Sequence, residues 1–515
     1  MFKTALISVS DKSGVTELAQ RLQELGFSML ATGKTAQELT NADLDVTTVE
    51  EITRFPEILG GRVKTLHPKI LGAILANPND PAHRRDMERH GIEPIGLVVV
   101  NLYPFEEMMQ THDEEELLRE FIDIGGVSLI RSAAKNYPNV IVVTDPADYT
   151  WVAEKLKSFG DLSLDERRLL AYKAFEHTAC YDATIASYFR TFSPVTFPDE
   201  ITLHLKKTQD LRYGENPHQK AAVYATPKKR IGLAHANALQ GKQLSFNNYL
   251  DLEASWNLVR EFEDPAAVII KHCNPCGVAV DQNLTEAFRK AYAADSISAY
   301  GGIVGFNREL DPETAKELSQ YFLECVIAPG FDEESLEILK TKKNLRLLGL
   351  KLKEIIPVGD LDYRTISGGF LIQEKNVESW PDTLKVVTRK EPTEQEWRSL
   401  KFAWKIAKHA KSNAIILATN HTTVGIGSGQ TSRIDALKTA LFKIKEKKVI
   451  AKDLAPLVMA SDGFFPFGDS IIEASQYGVT AVVQPGGSIR DEEVIQAANE
   501  RGLAMVFTGL RHFLH

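Results

Sequence analysis

Short apolar runs alternate with amphipathic stretches through the first 150 residues. Four of the runs predict buried strands: residues 4–9, 27–32, 96–103 and 139–145. Four amphipathic stretches predict helices: residues 13–26, 35–43, 115–122 and 127–136. This alternation predicts an α/β domain with a parallel sheet covered by helices on both faces. In such sheets, ligands bind beyond the carboxyl ends of the strands.

A second pattern recurs later in the chain. Residues 266–280 and 413–427 each contain an apolar run, a short polar loop and a second apolar run, and each is followed by a helical stretch. The offset between the two units is about 147 residues. Strand–loop–strand units resemble one another by chance, but the shared plan favours an internal duplication.

The boundary between these two patterns falls at residues 190–200, which contain two prolines after a long amphipathic segment. We therefore predict one domain at 1–195 and a larger one at 196–515.

The composition excludes several classes of protein. The chain has 515 residues, 25% of them charged, and a net charge of −9 without a basic stripe, so a nucleic-acid partner is disfavoured. Its apolar runs are far too short to cross a membrane, and no signal peptide precedes the first predicted strand. Four cysteines do not form a disulfide framework in a chain of this length. We expect a cytoplasmic protein.

Residues 33–35, Gly-Lys-Thr, resemble the end of a phosphate-binding P-loop, which would make the chain an NTPase. A P-loop needs a glycine five residues before Gly33, and that position is Ser28, inside a predicted strand. The other interpretation is a turn from strand to helix, capped by a threonine. Backbone N–H groups at the start of a helix bind anions without a P-loop.

Polar side chains collect at predicted strand ends and glycine turns. Those after strands are Ser10, Lys12, Ser13, Asn101 and Tyr103, and those near glycine turns are Arg62, Lys64, Thr65, His67 and Asp123. Arg131 and Lys135 are four residues apart on one face of a helix. Any one of them is weak, because lysine and arginine usually face solvent. Their convergence on strand ends predicts a site for a phosphorylated small molecule.

Four motifs, SVSDK, LGGRVKTLHP, NLYPF and DIGGVSLIRSAAKN, resemble in order and spacing the inosine monophosphate (IMP) cyclohydrolase domain of the bifunctional purine-biosynthesis enzymes. The resemblance implies a methylglyoxal-synthase-like fold. It implies that Lys135 moves protons, with Lys64, Tyr103 and Asp123 in support. The nucleotide-binding residues that it implies are Ser10, Asp11, Lys12, Thr32, Gly33, Lys34, Thr35, Arg62, Val63, Thr65, Asn101 and Ile124. Lys34 stands where the family usually has a second glycine.

The stretch KHCNPCG, residues 271–277, allows two interpretations. Cys273 and Cys276 form a CxxC motif, but a zinc site needs two more ligands and a redox motif would precede a helix. Alternatively, Lys271 and His272 suit acyl transfer: His272 takes the proton of an attacking amine while Lys271 stabilises the oxyanion. Further polar candidates lie at Arg212, Tyr213, Asn216, His218, Asn248, Asn413 and Arg433.

The motifs LRYGENPHQ, KHCNPCG, GIGSGQTSR, SDGFFPF and RHFLH resemble the 5-aminoimidazole-4-carboxamide ribonucleotide (AICAR) transformylase domain of the same family. The resemblance implies two cytidine-deaminase-like halves, and formyl transfer from 10-formyltetrahydrofolate as a co-substrate, with no tightly bound cofactor and no metal. His272 would be the base and Lys271 the transition-state stabiliser. Implied nucleotide contacts are Arg212, Tyr213, Gly301, Glu324, Asn413, Arg433 and Arg511. Implied folate contacts are Ile434, Phe464, Phe467, Asp469, Gly486 and Gly487.

Three functional hypotheses follow. The first is the bifunctional enzyme, for which the resemblance also implies a homodimer that shares each transformylase site. The second is an NTPase based on Gly33, Lys34 and Thr35. The third is a non-catalytic sensor of phosphorylated metabolites, which would leave Lys271 and His272 without a role.

Overall fold

The computed structural model describes residues 2–226, 232–236, 238–351, 361–446 and 456–515. The chain forms two compact units: the first ends at Lys206 and the second begins at Lys207, with Thr226 grouped with the first unit. Within the described parts of the chain, every helix is too short or too polar to cross a bilayer.

The first unit contains a five-stranded, wholly parallel sheet in the order β3-β2-β1-β4-β5. Its strands are β1 Thr4–Ser8, β2 Ser28–Ala31, β3 Val46–Thr48, β4 Leu97–Val100 and β5 Ile141–Val143. The four predicted strands are confirmed. The sequence analysis missed β3, because its residues Val-Thr-Thr are only half-buried at the edge of the sheet and carry little apolar signal.

Ten helices accompany this sheet in the described part of the first unit. They are α1 Val15–Glu24, α2 Gly33–Asn41, α3 Val49–Thr53, α4 Pro68–Leu75, α5 Pro81–His90, α6 Phe105–Thr111, α7 Glu115–Glu120, α8 Gly125–Lys135, α9 Tyr149–Phe159 and α10 Leu164–Arg190. Each amphipathic helix turns its apolar stripe to the sheet. In α8, for example, Leu129, Ile130, Ala133 and Ala134 are buried in the core.

The second unit is built on a twelve-stranded mixed sheet in the order β16-β21-β20-β19-β17-β18-β10-β9-β11-β12-β13-β8. Two small hairpins, β6–β7 and β14–β15, lie outside it. The strands are β6 Lys206–Leu211, β7 Ala221–Ala225, β8 Ala238–Gln240, β9 Ala266–Lys271, β10 Asn274–Val280, β11 Ile303–Phe306, β12 Cys325–Ala328, β13 Arg346–Gly349, β14 Leu361–Ile366, β15 Gly369–Glu374, β16 Lys385–Val386, β17 Ile415–Thr419, β18 Thr422–Gly427, β19 Leu457–Ser461, β20 Val479–Gln484 and β21 Ala504–Phe507.

The helices of the second unit flank this sheet. They are α11 Phe246–Val259, α12 Leu284–Ala294, α13 Ser296–Ala299, α14 Pro312–Leu318, α15 Glu333–Leu339, α16 Glu394–Ala407, α17 Arg433–Glu446, α18 Asp469–Gln476 and α19 Asp491–Glu500.

The two halves of the large sheet have equivalent strand arrangements when counted outward from its centre. On each side of the central pair β10–β18, a hairpin strand is followed by three mutually parallel strands and one antiparallel edge strand. The hairpins β9–β10 and β17–β18 are the two units of the sequence repeat, so the predicted duplication is confirmed as two halves with equivalent strand orders.

Candidate active sites

The loop after β1 is shaped by the side chain of Asn101. Its Oδ1 accepts hydrogen bonds from the backbone N–H groups of Ser10 and Asp11, at 2.6 and 2.9 Å, and its Nδ2 donates to the Asp11 carbonyl at 2.9 Å. Asn101 is buried and follows β4, the neighbour of β1 in the sheet. The geometry therefore gives Asn101 the role of holding the loop that presents Ser10, Asp11 and Lys12.

The start of α2 is a candidate anion cradle, because it leaves helix N–H groups without a side-chain cap. Thr32 is the N-cap residue but makes no side-chain bond to the helix, so the first N–H groups of α2 have no side-chain cap. Thr35 is buried, and its hydroxyl exchanges hydrogen bonds with the backbone of Val9 at 3.2 and 3.3 Å. Because α2 begins at Gly33, two residues beyond β2, there is no room for a P-loop.

Two lysines lie beside this cradle. Lys12 Nζ donates to the Val9 carbonyl at 3.0 Å and to Thr35 Oγ1 at 3.3 Å. Burial lowers the pKa of Lys12, and the charge of Lys34 lowers it further, while Glu38 opposes the shift. Lys34 itself is exposed in the first turn of α2, close enough for its charge to act on Lys12.

Lys64 approaches the same turn from the segment before α4. A Cβ atom on Gly33 would lie 3.7 Å from Lys64 Nζ and 3.9 Å from Glu57 Oε2, and Lys64 and Glu57 form an ion pair at 3.6 Å. Arg62 is exposed and pairs with Glu120. Lys64 and Arg62, both in the predicted LGGRVKTLHP motif, thus have carboxylate partners.

Asp123 closes the site beside Lys64. Its Oδ1 accepts a hydrogen bond from the Gly126 N–H at 2.7 Å, and its carboxylate also accepts from the Tyr103 N–H. Burial raises the pKa of Asp123 above its ordinary value, although these hydrogen bonds and the charge of Lys64 oppose the shift. The Tyr181 hydroxyl accepts from the Asp123 N–H at 2.8 Å and fixes the backbone there. A partly buried carboxyl of raised pKa next to an ammonium is suited to proton transfer.

The structure places most of the predicted residues of this site near Asp123, with one exception. Tyr103 is half-exposed and packs edge-on against Phe121, and Ile124 is exposed. Thr65 is buried, and its hydroxyl oxygen would lie 2.8 Å from a Cβ atom on Gly125. Val63, between Arg62 and Lys64, is half-buried.

Lys135 is the exception, because it occupies the far end of α8. That helix begins at Gly125, so its last residue lies about 15 Å along the axis from the Asp123 turn. Lys135 is exposed and shares a hollow of about 660 Å³ with Arg131, Arg168 and Phe175. The structure brings Lys64, Tyr103 and Asp123 together, but it does not bring Lys135 to them.

The second candidate site follows from the register of the large sheet. The carboxyl end of β9 pairs with the amino ends of β10 and β11, and β12 begins beside β11. In the other half, the carboxyl ends of β18 and β19 pair with the amino end of β17, and β20 is parallel to β19. Since β10 is antiparallel to β18, all of these strand ends lie along the same rim of the sheet. This rim, where strands begin and end, is called the edge below and is distinct from the edge strands β8 and β16. Predicted residues at this edge include Lys271, His272, Gly301, Glu324, Asn413, Phe464 and Gly486.

Lys271 is the last residue of β9, and its ammonium is held by the backbone. Nζ donates to the carbonyls of Tyr300 and Gly301, each at 3.0 Å. An ammonium has three N–H donors, so one remains for a ligand. Gly301 has φ of 66°, and a Cβ there would approach Lys271 Nζ to 3.2 Å and the Phe322 ring to 3.1 Å. Glycine at 301 therefore leaves space for the ammonium.

His272 and Cys273 form the two-residue turn of the hairpin, with φ of 52° and 60°. His272 is exposed, whereas the Cys273 N–H donates to Asp251 Oδ1 of α11 at 2.6 Å. This bond and the pairing of Lys271 with Asn274 keep the turn at the edge of the sheet. The turn presents the imidazole to solvent next to the ammonium of Lys271.

The CxxC motif does not have the properties of a redox or metal site. Burial raises the pKa of Cys273 to about 11 and that of Cys276 to about 12, so neither thiol is an activated thiolate. In the described ranges, no group of three or more His, Cys, Asp or Glu side chains is placed to hold a metal ion. Cys276 Sγ instead donates to the Ile269 carbonyl at 3.4 Å, within the hairpin.

Arg433 lies at the start of α17 and is buried in a polar network. Its guanidinium donates to Asp462 Oδ1 at 2.5 Å, to Ser461 Oγ at 2.7 Å and to Asn413 Oδ1 at 2.8 Å. Asp462 is fully buried and also accepts from the Ala414 N–H at 3.1 Å. A Cβ on Gly463 would lie 2.6 Å from the guanidinium, so glycine is needed there. The network fixes Asn413 and Arg433 in one place.

Glu324 precedes β12 and is half-buried at the same edge. Arg346 donates to its Oε2 at 2.5 Å from the start of the neighbouring strand β13. The Arg346 side chain is buried while that of Glu324 is partly exposed. Glu324 is therefore held by an arginine that the sequence analysis did not identify.

The predicted residues Arg212, Tyr213 and Asn248 belong to segments that approach the hairpin turn. Arg212 is exposed and stacks over Tyr213, with 5.3 Å between guanidinium carbon and ring centre. Asn248 is buried, and its side chain forms a capping box with Ser245 at the start of α11. The Asn247 amide donates to the Glu215 carbonyl at 3.3 Å, which ties the loop of Arg212 to this helix. The geometry thus makes Asn248 a structural cap.

The predicted folate contacts lie on the second half of the sheet. Phe464, Phe467 and Asp469 are exposed after β19, and Arg490 covers the Phe467 ring at 4.7 Å. Gly486 and Gly487 follow β20 with φ of 72° and 95°, and a side chain on Gly486 would overlap the Phe507 ring. Ile434 is half-buried against the core, and Arg511 is exposed and stacks on Phe513 at 4.3 Å.

Sequence reasoning missed several residues that complete these sites: Tyr181, Asp251, Asp295, Arg346, Lys443 and His512. Each of them acts on a partner far away in the sequence, and only His512 lies in a quoted motif, RHFLH, which gave it no role. Asp462 lies in the motif SDGFFPF but was given no role there, although it is the buried counter-charge of Arg433. A buried arginine predicts an acid nearby, but only the fold identifies which one.

Comparisons with known proteins agree with both units. A family model described as MGS-like domain matches residues 14–128, and one described as AICARFT/IMPCHase bienzyme matches residues 133–443. The chain is 50% identical over its full length to the full-length bifunctional purine biosynthesis protein PurH of Persephonella marina. It is 52% identical to the protein of that name from Aquifex aeolicus, over 99% of this chain and 100% of the relative. A crystal structure titled ForH aligns with 37% of this chain and 100% of its own, at 36% identity and a TM-score of 0.34.

A methylglyoxal-synthase-like unit followed by a larger α/β unit is the architecture of a bifunctional enzyme. The chain belongs to the AICARFT/IMPCHase bienzyme family. It catalyses the last two steps of IMP synthesis, first as an AICAR formyltransferase and then as an IMP cyclohydrolase.

Proposed function

We propose that the two activities reside in separate sites, with IMP cyclohydrolase in residues 1–195 and AICAR transformylase in residues 196–515. The observation that carries the transformylase assignment is the convergence of Lys271, His272, Asn413 and Arg433 on one edge of the large sheet. The cyclohydrolase assignment rests on the cluster of Lys64 and Asp123 beside the anion cradle of α2.

In the cyclohydrolase site, the cradle of α2 with Lys12 binds the nucleotide phosphate. Ring closure joins the carboxamide nitrogen of formyl-AICAR to the formyl carbon and then releases water. Asp123 accepts the proton of the attacking nitrogen, and Lys64 stabilises the negative charge on the formyl oxygen and protonates it to a hydroxyl. Asp123 then passes its proton to that hydroxyl, which leaves as water, while the former formamide nitrogen gives its N–H proton back to the Lys64 amine as the C=N bond forms. Tyr103 lines the same space. The proton-transfer role of Lys135 is retained on the resemblance alone.

In the transformylase site, the co-substrate is 10-formyltetrahydrofolate. His272 accepts a proton from the AICAR amine as its nitrogen attacks the formyl carbon, and the free N–H of Lys271 stabilises the oxyanion. The bond between the formyl carbon and N10 of the folate then breaks, and N10 takes the proton from the imidazolium. No metal and no tightly bound cofactor take part in this step.

The remaining contacts follow from position. Asn248 supports the nucleotide contacts from α11. The residues that surround the nucleotide are Arg433, Asn413, Glu324, Gly301, Arg212, Tyr213 and Arg511. Exposed aromatic rings suit the flat heterocycle of the folate. The residues that surround the folate are Phe464, Phe467, Asp469, Ile434, Gly486 and Gly487. The resemblance further supports a cytoplasmic homodimer whose chains share each transformylase site.

The test uses two substitutions and one assay that follows IMP formation. With AICAR and 10-formyltetrahydrofolate supplied, His272→Ala should lower formyl transfer by about 10²- to 10⁴-fold, because a positioned proton acceptor is lost. The same variant should still close preformed formyl-AICAR at the wild-type rate. Lys64→Met should do the reverse and accumulate formyl-AICAR.

Lys135→Ala is assayed in parallel, since its role rests on the resemblance. Loss of ring closure with intact formyl transfer would support that role, and wild-type ring closure would remove Lys135 from the site. If His272→Ala and Lys64→Met each abolished both activities in folded protein, the assignment of two separate sites would be wrong.

A further inference from the structure

The two carbonyls that hold the Lys271 ammonium belong to a short segment that begins at Asp295. This residue is the N-cap of α13: its Oδ1 accepts from the Ser298 N–H at 3.1 Å and its Oδ2 from the Ser298 hydroxyl at 2.7 Å. Tyr300 and Gly301 follow directly after α13. The position of Asp295 therefore determines where the two carbonyls point.

Asp295 is in turn held by Lys443 from the other half of the sheet. Lys443 Nζ lies 2.9 Å from Asp295 Oδ2, and the two side chains are 24% and 11% exposed. Burial disfavours the charged form of Asp295, but the bonds from Lys443 and Ser298 outweigh it, so the pKa of Asp295 lies below its ordinary value. The carboxylate of Asp295 keeps its charge, and its ion pair with Lys443 links the two halves of the second unit.

The surroundings of the pair connect it to the reaction site. The charges of Asp295, Lys443 and Lys271 all act on the Cys276 thiol, which lies among them and remains neutral. Lys443 is on α17, the helix whose first residue is Arg433. Asp295 follows α12, the equivalent helix of the first half. The ion pair thus joins equivalent places in the two halves beneath one reaction site.

We infer that Asp295 and Lys443 are positioning residues for formyl transfer, which they promote by fixing the carbonyls that aim the Lys271 ammonium. The inference rests on the proposed role of Lys271. Without Lys443, Asp295 is a mostly buried carboxylate that has lost its cation, and the segment 296–301 relaxes toward water. A displacement of about 1 Å in a catalytic group costs up to about 10²-fold in rate.

The decisive experiment compares Lys443→Met with Lys290→Met. Lys290 lies on α12 and forms an ion pair with Asp281, so its substitution removes a comparable pair that does not contact the segment 296–301. We expect Lys443→Met to lower kcat of formyl transfer about tenfold, with KM for AICAR within about twofold of wild type. Closure of preformed formyl-AICAR should be unchanged, and Lys290→Met should behave as wild type.

Two further variants separate positioning from general stability. Lys443→Arg keeps the charge and should restore most of kcat, while Asp295→Asn combined with Lys443→Met should be no worse than Lys443→Met alone. Wild-type kcat in Lys443→Met, a loss that appears only in KM, or an equal loss in Lys290→Met would overturn the inference. If Lys271→Ala itself retained formyl transfer, the proposed function would fail instead.

Discussion

The residue that most directly limits the first site is Glu57. Its carboxylate lies 3.6 Å from Lys64 Nζ, and it would be 3.9 Å from a Cβ on Gly33, at the start of α2. A phosphate bound at this helix terminus would be repelled by the carboxylate and attracted by the ammonium. Glu57 therefore competes with the phosphate for Lys64.

Glu57→Gln removes the competing charge and keeps the shape of the side chain. Because exposed ion pairs contribute up to about 1 kcal/mol, we expect the Kd for IMP to fall by about two- to fivefold. Isothermal titration calorimetry at low salt measures this change, and the gain should shrink as salt rises. Glu50→Gln, at a partly exposed glutamate of the neighbouring helix α3, serves as the control. Weaker IMP binding by Glu57→Gln would mean that the carboxylate supports the site.

At this scale, the sequence predicts residues that lie in motifs and misses those that act across the fold. Lys271 and His272 were identifiable because an adjacent cation and imidazole ended an apolar run. Asn101 was assigned to the nucleotide, yet its amide holds the loop of Ser10 and Asp11. Such a role depends on strand order, which periodicity does not provide.

Among the elements, the two central hairpins depend on a close approach by helices. A Cβ on Gly277 in β10 would overlap the Ala291 carbonyl of α12, and one on Gly427 in β18 would overlap the Ala436 carbonyl of α17. Neither glycine has a positive φ, so the requirement is for space alone. These contacts place α12 and α17, and with them Asp295 and Arg433.

Gly277→Ala should therefore push α12 away from β10. We expect a loss of about 3 kcal/mol in the free energy of unfolding, at the upper end of the range for overpacked cores. Gly369→Ala is the matched control, since Gly369 is also in a strand without positive φ but has no atom within 4 Å of its would-be Cβ. Urea unfolding of both variants measures the difference. Equal urea midpoints for the two variants would show that α12 moves away from β10 without a loss of stability.

The elements themselves were largely predictable, and their boundaries less so. The strands β1, β2, β4 and β5 were evident as apolar runs, and both central hairpins as repeats. The polar edge strand β3 gave no such signal. The prediction that a helix begins near Thr35 was late by two residues, because the glycine and lysine before it belong to α2.

At the scale of the molecule, the two halves of the large sheet share a fold but not a chemistry. Each hairpin has a left-handed turn, at His272–Cys273 in one half and Asn420–His421 in the other. The carbonyl oxygen of the Asn307 side chain accepts from the Ala266 N–H at 2.9 Å, just as Asp462 accepts from the Ala414 N–H. Asn307 is neutral where Asp462 is charged, so the buried arginine is needed at one edge only. Duplication explains the architecture, and the reaction site occupies one of two equivalent edges.

The stability of the second unit should depend on pH through His512, which is fully buried next to that edge. Its ring packs against Trp404 at a tilt of 51°, with 5.0 Å between ring centres, and its backbone N–H donates to the Asp462 carbonyl at 3.0 Å. Burial lowers the pKa of His512 to about 4, the charges of Lys408 and His409 contribute, and a backbone hydrogen bond to Ser379 and the charge of Glu261 oppose the shift. In the unfolded chain the imidazole takes its proton near pH 6.5.

Between these two values the unfolded state binds more protons, so the free energy of unfolding falls as the pH falls. For this group we expect a loss of about 2 kcal/mol between pH 7 and about pH 4.5. His512→Phe keeps an aromatic ring against Trp404 and removes the titratable imidazole. In urea unfolding of the second unit, the pH dependence of this variant should therefore be smaller than that of the wild type by about 2 kcal/mol. His112→Asn, at a partly exposed histidine of the first unit, should leave the pH dependence of the second unit unchanged. Equal pH dependence in wild type and His512→Phe would mean that the buried imidazole takes up its proton without unfolding.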